Sequence, residues 1–316
     1  MATYKEIHGV KVQYRDSDAT AIEGDVWYNS SRGLLKMDSA VGAWSSGGVM
    51  NTERDNHASA GTQTAGLAYG GEPVNCETYD GSSWTEVANV NVARTQAGGF
   101  GTQTAALYVG GTPASVSNEV WNGASWTENG NLNTGRQQVN ANGTTTDGIV
   151  FGGAPGLKDE TEEYNGTSWS EQNDLNAGRR YIEGSGATGQ AALAFGGNSS
   201  NPGSGYSAAN ESYDGTSWTE TADLNTGRFA AGSCGTQTLA LMVAGHKSGN
   251  AACTDVESWD GSSWTEIADV STGATNVSTT GTGQVALRNG GSPGSGSSDI
   301  SEEFSGVALI QTVAFD

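Results

Sequence analysis

The segment ETYDGSSWTE at residues 77–86 recurs as EVWNGASWTE (119–128), EEYNGTSWSE (162–171), ESYDGTSWTE (211–220) and ESWDGSSWTE (257–266). Its Trp residues stand at 84, 126, 169, 218 and 264, with an earlier match at Trp44. A second marker is an apolar run ending in Gly-Gly: LAYGG (67–71), LYVGG (107–111), IVFGG (149–153) and LAFGG (193–197), with degraded copies LMVAG (241–245) and LRNGG (287–291). A third marker closes each unit: NTER (51–54), NVAR (91–94), NTGR (133–136), NAGR (176–179) and NTGR (225–228). The unit is therefore 40 to 49 residues long, the length at which four-stranded propeller blades repeat.

Each stretch of the unit reads as a strand or a turn. Small residues after the Arg, such as AAGSCG (230–235), suit an innermost strand crowded around an axis, and GTQT (61–64, 101–104, 235–238) follows as a turn. The run before Gly-Gly is apolar nearly throughout, as expected of a second strand covered on both faces. The alternating segment before Asp-Gly or Asn-Gly is a third strand, and those dipeptides supply the positive φ angles of a tight hairpin. The Trp opens the fourth strand. Helical periodicity is absent throughout.

The Glu-x-aromatic-x-Gly…Trp pattern, the Gly-Gly doublet and the trailing Arg resemble the kelch family of propellers, over roughly residues 44–306. Asp-Gly or Asn-Gly stands where many kelch repeats carry Asp-Pro, which changes the turn and leaves the blade intact. The expected fold is an all-β, kelch-like β-propeller. Because Trp, Gly-Gly and Arg recur once per blade, they read as packing residues. The repeated carboxylates Glu77, Glu119, Glu211 and Glu257 read as structural or solvated.

Strands one to three occur six times, at about 54–81, 94–123, 136–166, 179–215, 228–261 and 274–306. The last unit lacks a Trp strand, while Trp44 supplies a spare one at the other end. Joining the two closes a six-bladed ring and removes the exposed sheet edges. The alternative is seven blades, with VALIQTVAFD (307–316) completing the last and residues 5–50 forming a divergent first. KVQYRDSD (11–18) is too charged for an innermost strand, which favours six.

The domain reading is accordingly 1–43 as an attachment segment and 44–316 as the propeller. Residues 1–43 hold five of the 14 basic residues and no Gly-Gly. GDVWYNSSRGLLKM (24–37) reads as a β-hairpin. Trp27, Tyr28 and Leu35 are the side chains expected to dock it on a neighbouring surface.

Composition narrows the function. Thirty-five Asp and Glu against 14 Lys and Arg give a formal charge of -21, which repels nucleic acid and anionic membranes. The start MATYKEIHGV shows no signal-peptide pattern, and no apolar run reaches membrane-spanning length. Cys76, Cys234 and Cys253 have no disulfide or metal spacing and read as free thiols of a cytosolically made protein. His8, His57 and His246 are scattered. That is too few clustered histidines for the copper site of galactose oxidase, which has a ring of this kind. No nucleophile elbow, P-loop or calcium loop is present. The expectation is a non-enzymatic protein without cofactor or metal.

Variation between the units points to a face. The loops between second and third strands differ sharply: EPVN (72–75), TPASVSN (112–118), APGLKDET (154–161), NSSNPGSGYSAAN (198–210), HKSGNAACTDV (246–256) and SPGSGSSDIS (292–301). All emerge on one side of an up-and-down propeller, and binding residues favour variable loops on a rigid scaffold. Tyr206, His246 and Lys247 are the side chains there best suited to stack or pair with a ligand. Loops that merely drifted are the alternative.

The near-identical GTQT, YDGSSWTE and LNTGR repeats and the EGDVWYNSS hairpin are similar in style to repeat proteins of marine bacteriophage virions. That resemblance implies a virion structural protein, such as a tail fibre, appendage or decoration. It would be made in the host cytoplasm and contact other virion proteins through residues 1–43. The propeller would then bind a host-surface glycan or protein, as a monomer or a homo-oligomer. A cellular kelch-type adaptor and a sugar-active propeller enzyme are the other classes that fit.

Overall fold

The computed structural model describes residues 12–15, 26–29, 34–37, 42–72, 74–201, 203–249, 252–294 and 296–306, the first three segments as backbone strands only. The chain divides into two compact units, one of them Trp44–Phe304. In the other, Val26–Asn29 pairs in parallel with Val12–Arg15 and antiparallel with Leu34–Met37. The hairpin read over 24–37 is thus present as two antiparallel strands, with Tyr28 opposite Leu35.

The larger unit is a six-bladed β-propeller, each blade a four-stranded antiparallel sheet. One blade serves for all: Ala58–Thr62 innermost, then Ala65–Tyr69, Cys76–Tyr79 and Trp84–Val87 outermost. The next inner strands are Gly98–Thr102, Asn140–Thr144, Glu183–Thr188, Gly232–Thr236 and Ser278–Gly281. Each touches its neighbours around the axis, and the last touches the first. The sixth blade is composite. Its strands Ser278–Gly281, Val285–Asn289 and Ser301–Ser305 are completed by Ala43–Ser46 from the other end of the chain. Trp44 lies 5.1 Å from Phe304, and Gly47 N–H donates to the Ser301 carbonyl at 2.9 Å. The seven-bladed alternative therefore does not occur.

The repeated markers have physical roles. The outer-strand Trp pairs in register with the third-strand aromatic, as Trp84 with Tyr79, Trp169 with Tyr164 and Trp218 with Tyr213. In three blades it also meets an aromatic ring on the second strand of the blade before, Trp126 against Tyr69, Trp218 against Phe151 and Trp264 against Phe195. It therefore cements the blade interface. The Gln of GTQT is a second clamp: Gln103 Nε2 donates to the Tyr79 carbonyl of the preceding blade at 2.7 Å.

The third marker and the repeated Glu form one unit. Arg54, Arg94, Arg136, Arg179 and Arg228 each pair with Glu77, Glu119, Glu162, Glu211 and Glu257 in the third strand that follows. The marker Asn approaches the same carboxylate, with Asn133 N–H and Nδ2 both donating to Glu162 Oε2, at 2.8 and 2.9 Å. Both members of each pair are buried. The expectation that these acids are structural holds. They are not solvated, because the guanidinium and the Asn donors replace water.

Candidate functional site

Along each blade the chain runs up, down, up and down. The connections between blades and the variable loops therefore share one face, and the GTQT and Asp-Gly turns share the other. On the variable face the connection takes a sharp turn not foreseen from sequence. The strand does not begin directly after the marker Arg. Two residues on, the backbone enters the left-handed region, at Asn56, Gln96, Gln138, Tyr181, Ala230 and Asn276, with φ between 48° and 57°.

These six positions form a closed belt around the axis. The N–H groups of Gln96, Gln138 and Tyr181 donate to the carbonyls of Asn56, Gln96 and Gln138, at 2.9, 2.7 and 2.9 Å. Ala230, Asn276 and Asn56 continue to Tyr181, Ala230 and Asn276, at 3.4, 2.7 and 3.3 Å. Left-handed backbone costs a non-Gly residue about 1–2 kcal/mol, and each hydrogen bond returns about 1 kcal/mol. The conformation is common to every blade and is thus architectural. The side chains it aims at the axis differ: two Asn, two Gln, one Tyr and one Ala.

Below the belt a channel of about 210 Å³ is lined by all six inner strands. Its lining contains no Lys or Arg, and its only carboxylate is Glu183. Burial pushes the Glu183 carboxyl well above the usual range, although Ser233 Oγ donates to it at 3.1 Å. His57 is also in the wall; burial and then Arg54 hold it at about 3, so it is neutral, with its Nε2 2.7 Å from Asn289 Oδ1. The lining is thus polar, and burial favours the neutral forms of both Glu183 and His57. Across its mouth Gln96 Nε2 donates to Tyr181 Oη at 2.8 Å, and Gln138 Nε2 to Gln96 Oε1 at 3.2 Å.

Beside the mouth the structure gathers four aromatic rings. Tyr206 stacks on Phe229 with centroids 5.6 Å apart and planes at 25°, and His246 sits 4.8 Å from Phe229. Tyr181 of the belt is 5.9 Å from the same Phe229 ring. Two of the residues expected from the variable loops, Tyr206 and His246, are therefore together on this face, while Lys247 is drawn aside into an ion pair with Asp255. Sequence reasoning missed Phe229 and the belt. Their signal was the residue pair directly after the marker Arg, which changes in every blade while its surroundings repeat. Trp27, Tyr28 and Leu35 lie on the strands Val26–Asn29 and Leu34–Met37, and their side chains are outside the described residues.

No protein-family model matches the chain, and no curated protein matches it. Among solved structures it is similar to "Structure of YjhT", with a TM-score of 0.68 and 13% identity over 84% of this chain and 99% of that one. The likeness is one of fold. It carries no substrate or activity across to this chain.

Proposed function

We propose that the protein is a non-enzymatic binding propeller of a bacteriophage virion, with residues 1–43 docking on other virion proteins and the variable face meeting a host-surface glycan or protein. The belt supports the second half of this reading. One rigid backbone position, repeated around the axis, presents six side chains that are mostly amides and aromatics. Such groups hydrogen-bond and stack without carrying charge, as a recognition surface requires. The virion setting rests on the style of the repeats and the EGDVWYNSS segment.

The test uses the full chain. Fluorescently labelled protein should bind host cells, and Gln96→Ala or Phe229→Ala should weaken that binding at least tenfold. Ala124→Arg, on the turn of the opposite face, should leave it unchanged. Equal binding by all variants would remove the face from the reading. Purified virions should contain the chain by mass spectrometry; its absence there, with cell binding intact, would favour the adaptor class.

A further inference from the structure

Arg180 stands apart from the other cations of the propeller. Every other described Lys or Arg between residues 44 and 304 has a carboxylate partner. Arg180 has none among the described residues. Its guanidinium makes one long hydrogen bond, Nη2 to the Gly203 carbonyl at 3.3 Å, and its Nε is buried without a partner. The side chain is half-buried, in a chain where acidic residues outnumber basic ones 35 to 14. Desolvating a guanidinium without a counter-charge is unfavourable. An incoming carboxylate would supply the missing acceptors in the planar, two-pronged geometry a guanidinium prefers.

The surroundings say what carries that carboxylate. Arg180 bridges to Asn198, and Asn198 bridges to Tyr206, both antiparallel. Directly opposed residues share a face, so Arg180 and Tyr206 lie on the same side, two strand spacings or about 10 Å apart. Tyr206 and His246 pack on the buried Phe229 ring and form an aromatic shelf beside it, and Tyr181, next to Arg180 in the chain, reaches the axial mouth. A cation beside a shelf of rings fits a sugar ring with its apolar face on the aromatics and its carboxylate on the guanidinium.

We propose that this rim is a subsite for a carboxylate-bearing sugar, such as a uronic acid, within a surface glycan; it rests on the reading of this face as the binding face. The chain's charge of -21 argues against a densely charged polymer. Its repulsion is screened beyond about 8 Å at physiological salt, so isolated carboxylates pass and a dense polyanion does not.

The experiment is calorimetric titration of the full chain with an oligosaccharide containing glucuronic acid and with its carboxyl-reduced form. The acidic form should bind at least tenfold more tightly. Arg180→Gln should abolish that preference, and Arg180→Lys should keep part of it. An unchanged melting curve for Arg180→Gln is expected, since the side chain makes a single hydrogen bond. Equal binding of the two sugars, or an Arg180→Gln variant with the preference intact, would overturn the subsite. An Asp-rich peptide that binds through Arg180 while the sugar does not would overturn the glycan class. If Arg180→Gln binds host cells normally while Phe229→Ala does not, the acidic subsite falls and the binding face stands. If neither substitution matters to cells, the face itself falls.

Discussion

Arg288 Nη1 donates to Glu302 Oε2 at 2.9 Å, with both side chains buried, yet this guanidinium enters from the second strand of its blade. In the other five blades the Arg comes from the connection before the inner strand, where the sixth has Ala274. The buried carboxylate has kept its place and its counter-charge has moved. Ser271 N–H still donates to Glu302 at 2.8 Å, as the marker Asn does elsewhere.

Removing one partner of this pair leaves a buried charge alone. Glu302→Ala is expected to cost about 3–5 kcal/mol, read from urea unfolding followed by Trp fluorescence. The double variant Arg288→Met with Glu302→Ala should recover part of the loss, because no charge then remains. A double variant that costs the full sum of the singles would show that the pair is not coupled.

The outer-strand tryptophans should differ in weight according to their burial. Trp169 is 5% exposed and stacks 4.9 Å from Tyr164, so Trp169→Ala should cost about 3–5 kcal/mol. Trp44, on the strand that closes the ring, is only half-buried, and Trp44→Ala should cost less. Deleting the chain through Ser46 is a different perturbation. It strips the outer strand from the sixth blade and leaves an unpaired edge, so light scattering should report aggregation. A soluble truncated ring would show that the closing strand is dispensable.

His57 and Glu183 give opposite pH dependences. His57 is held at about 3 in the folded state by burial and then Arg54, below its ordinary value of about 6.5. Its contribution is complete above 6.5 and is lost as pH falls toward 3, by up to about 1.4 kcal/mol per pH unit. Glu183 is raised by burial. Its contribution is complete below the ordinary Glu value of about 4.3 and is lost as pH rises through the folded value. Urea midpoints should therefore show a flatter acid limb in His57→Gln and a flatter alkaline limb in Glu183→Gln. Parallel profiles for wild type and variants would refute both assignments.

The belt predicts which residues its positions accept. Gln138 has φ 57° and donates its N–H to the Gln96 carbonyl at 2.7 Å. Gln138→Val places a branched side chain in the left-handed region, where it is a genuine outlier, and should lower the melting temperature. Gln138→Asn should be nearly neutral, since Asn tolerates that conformation and already occupies it at positions 56 and 276. Thermal melts of the two variants compare them directly; equal melting temperatures would mean the backbone there is unstrained.

How far the sequence could be read depends on where each signal lies. The Trp, Gly-Gly and Asp-Gly markers act within one blade or against its neighbour, and their constraint is stamped on every unit. That is why the strands, and the sharing of Trp44 with the last blade, were legible. The Arg and Glu markers were each visible, but their meeting was not: Arg54 and Glu77 are 23 positions apart and come together only when the connection folds over the third strand. Lys247 looked free in the sequence because its partner Asp255 sits eight residues away in the same loop.

The sequence by itself determined the blade, the number of blades and the face on which variation collects, because a repeated local pattern reports repeated local packing. The belt, the channel and the meeting of Arg180, Tyr206, Phe229 and His246 were decided only by tertiary structure. Those groups come from different blades or loops. Whether a side chain there finds a partner depends on the curvature of a closed ring, which no single repeat encodes.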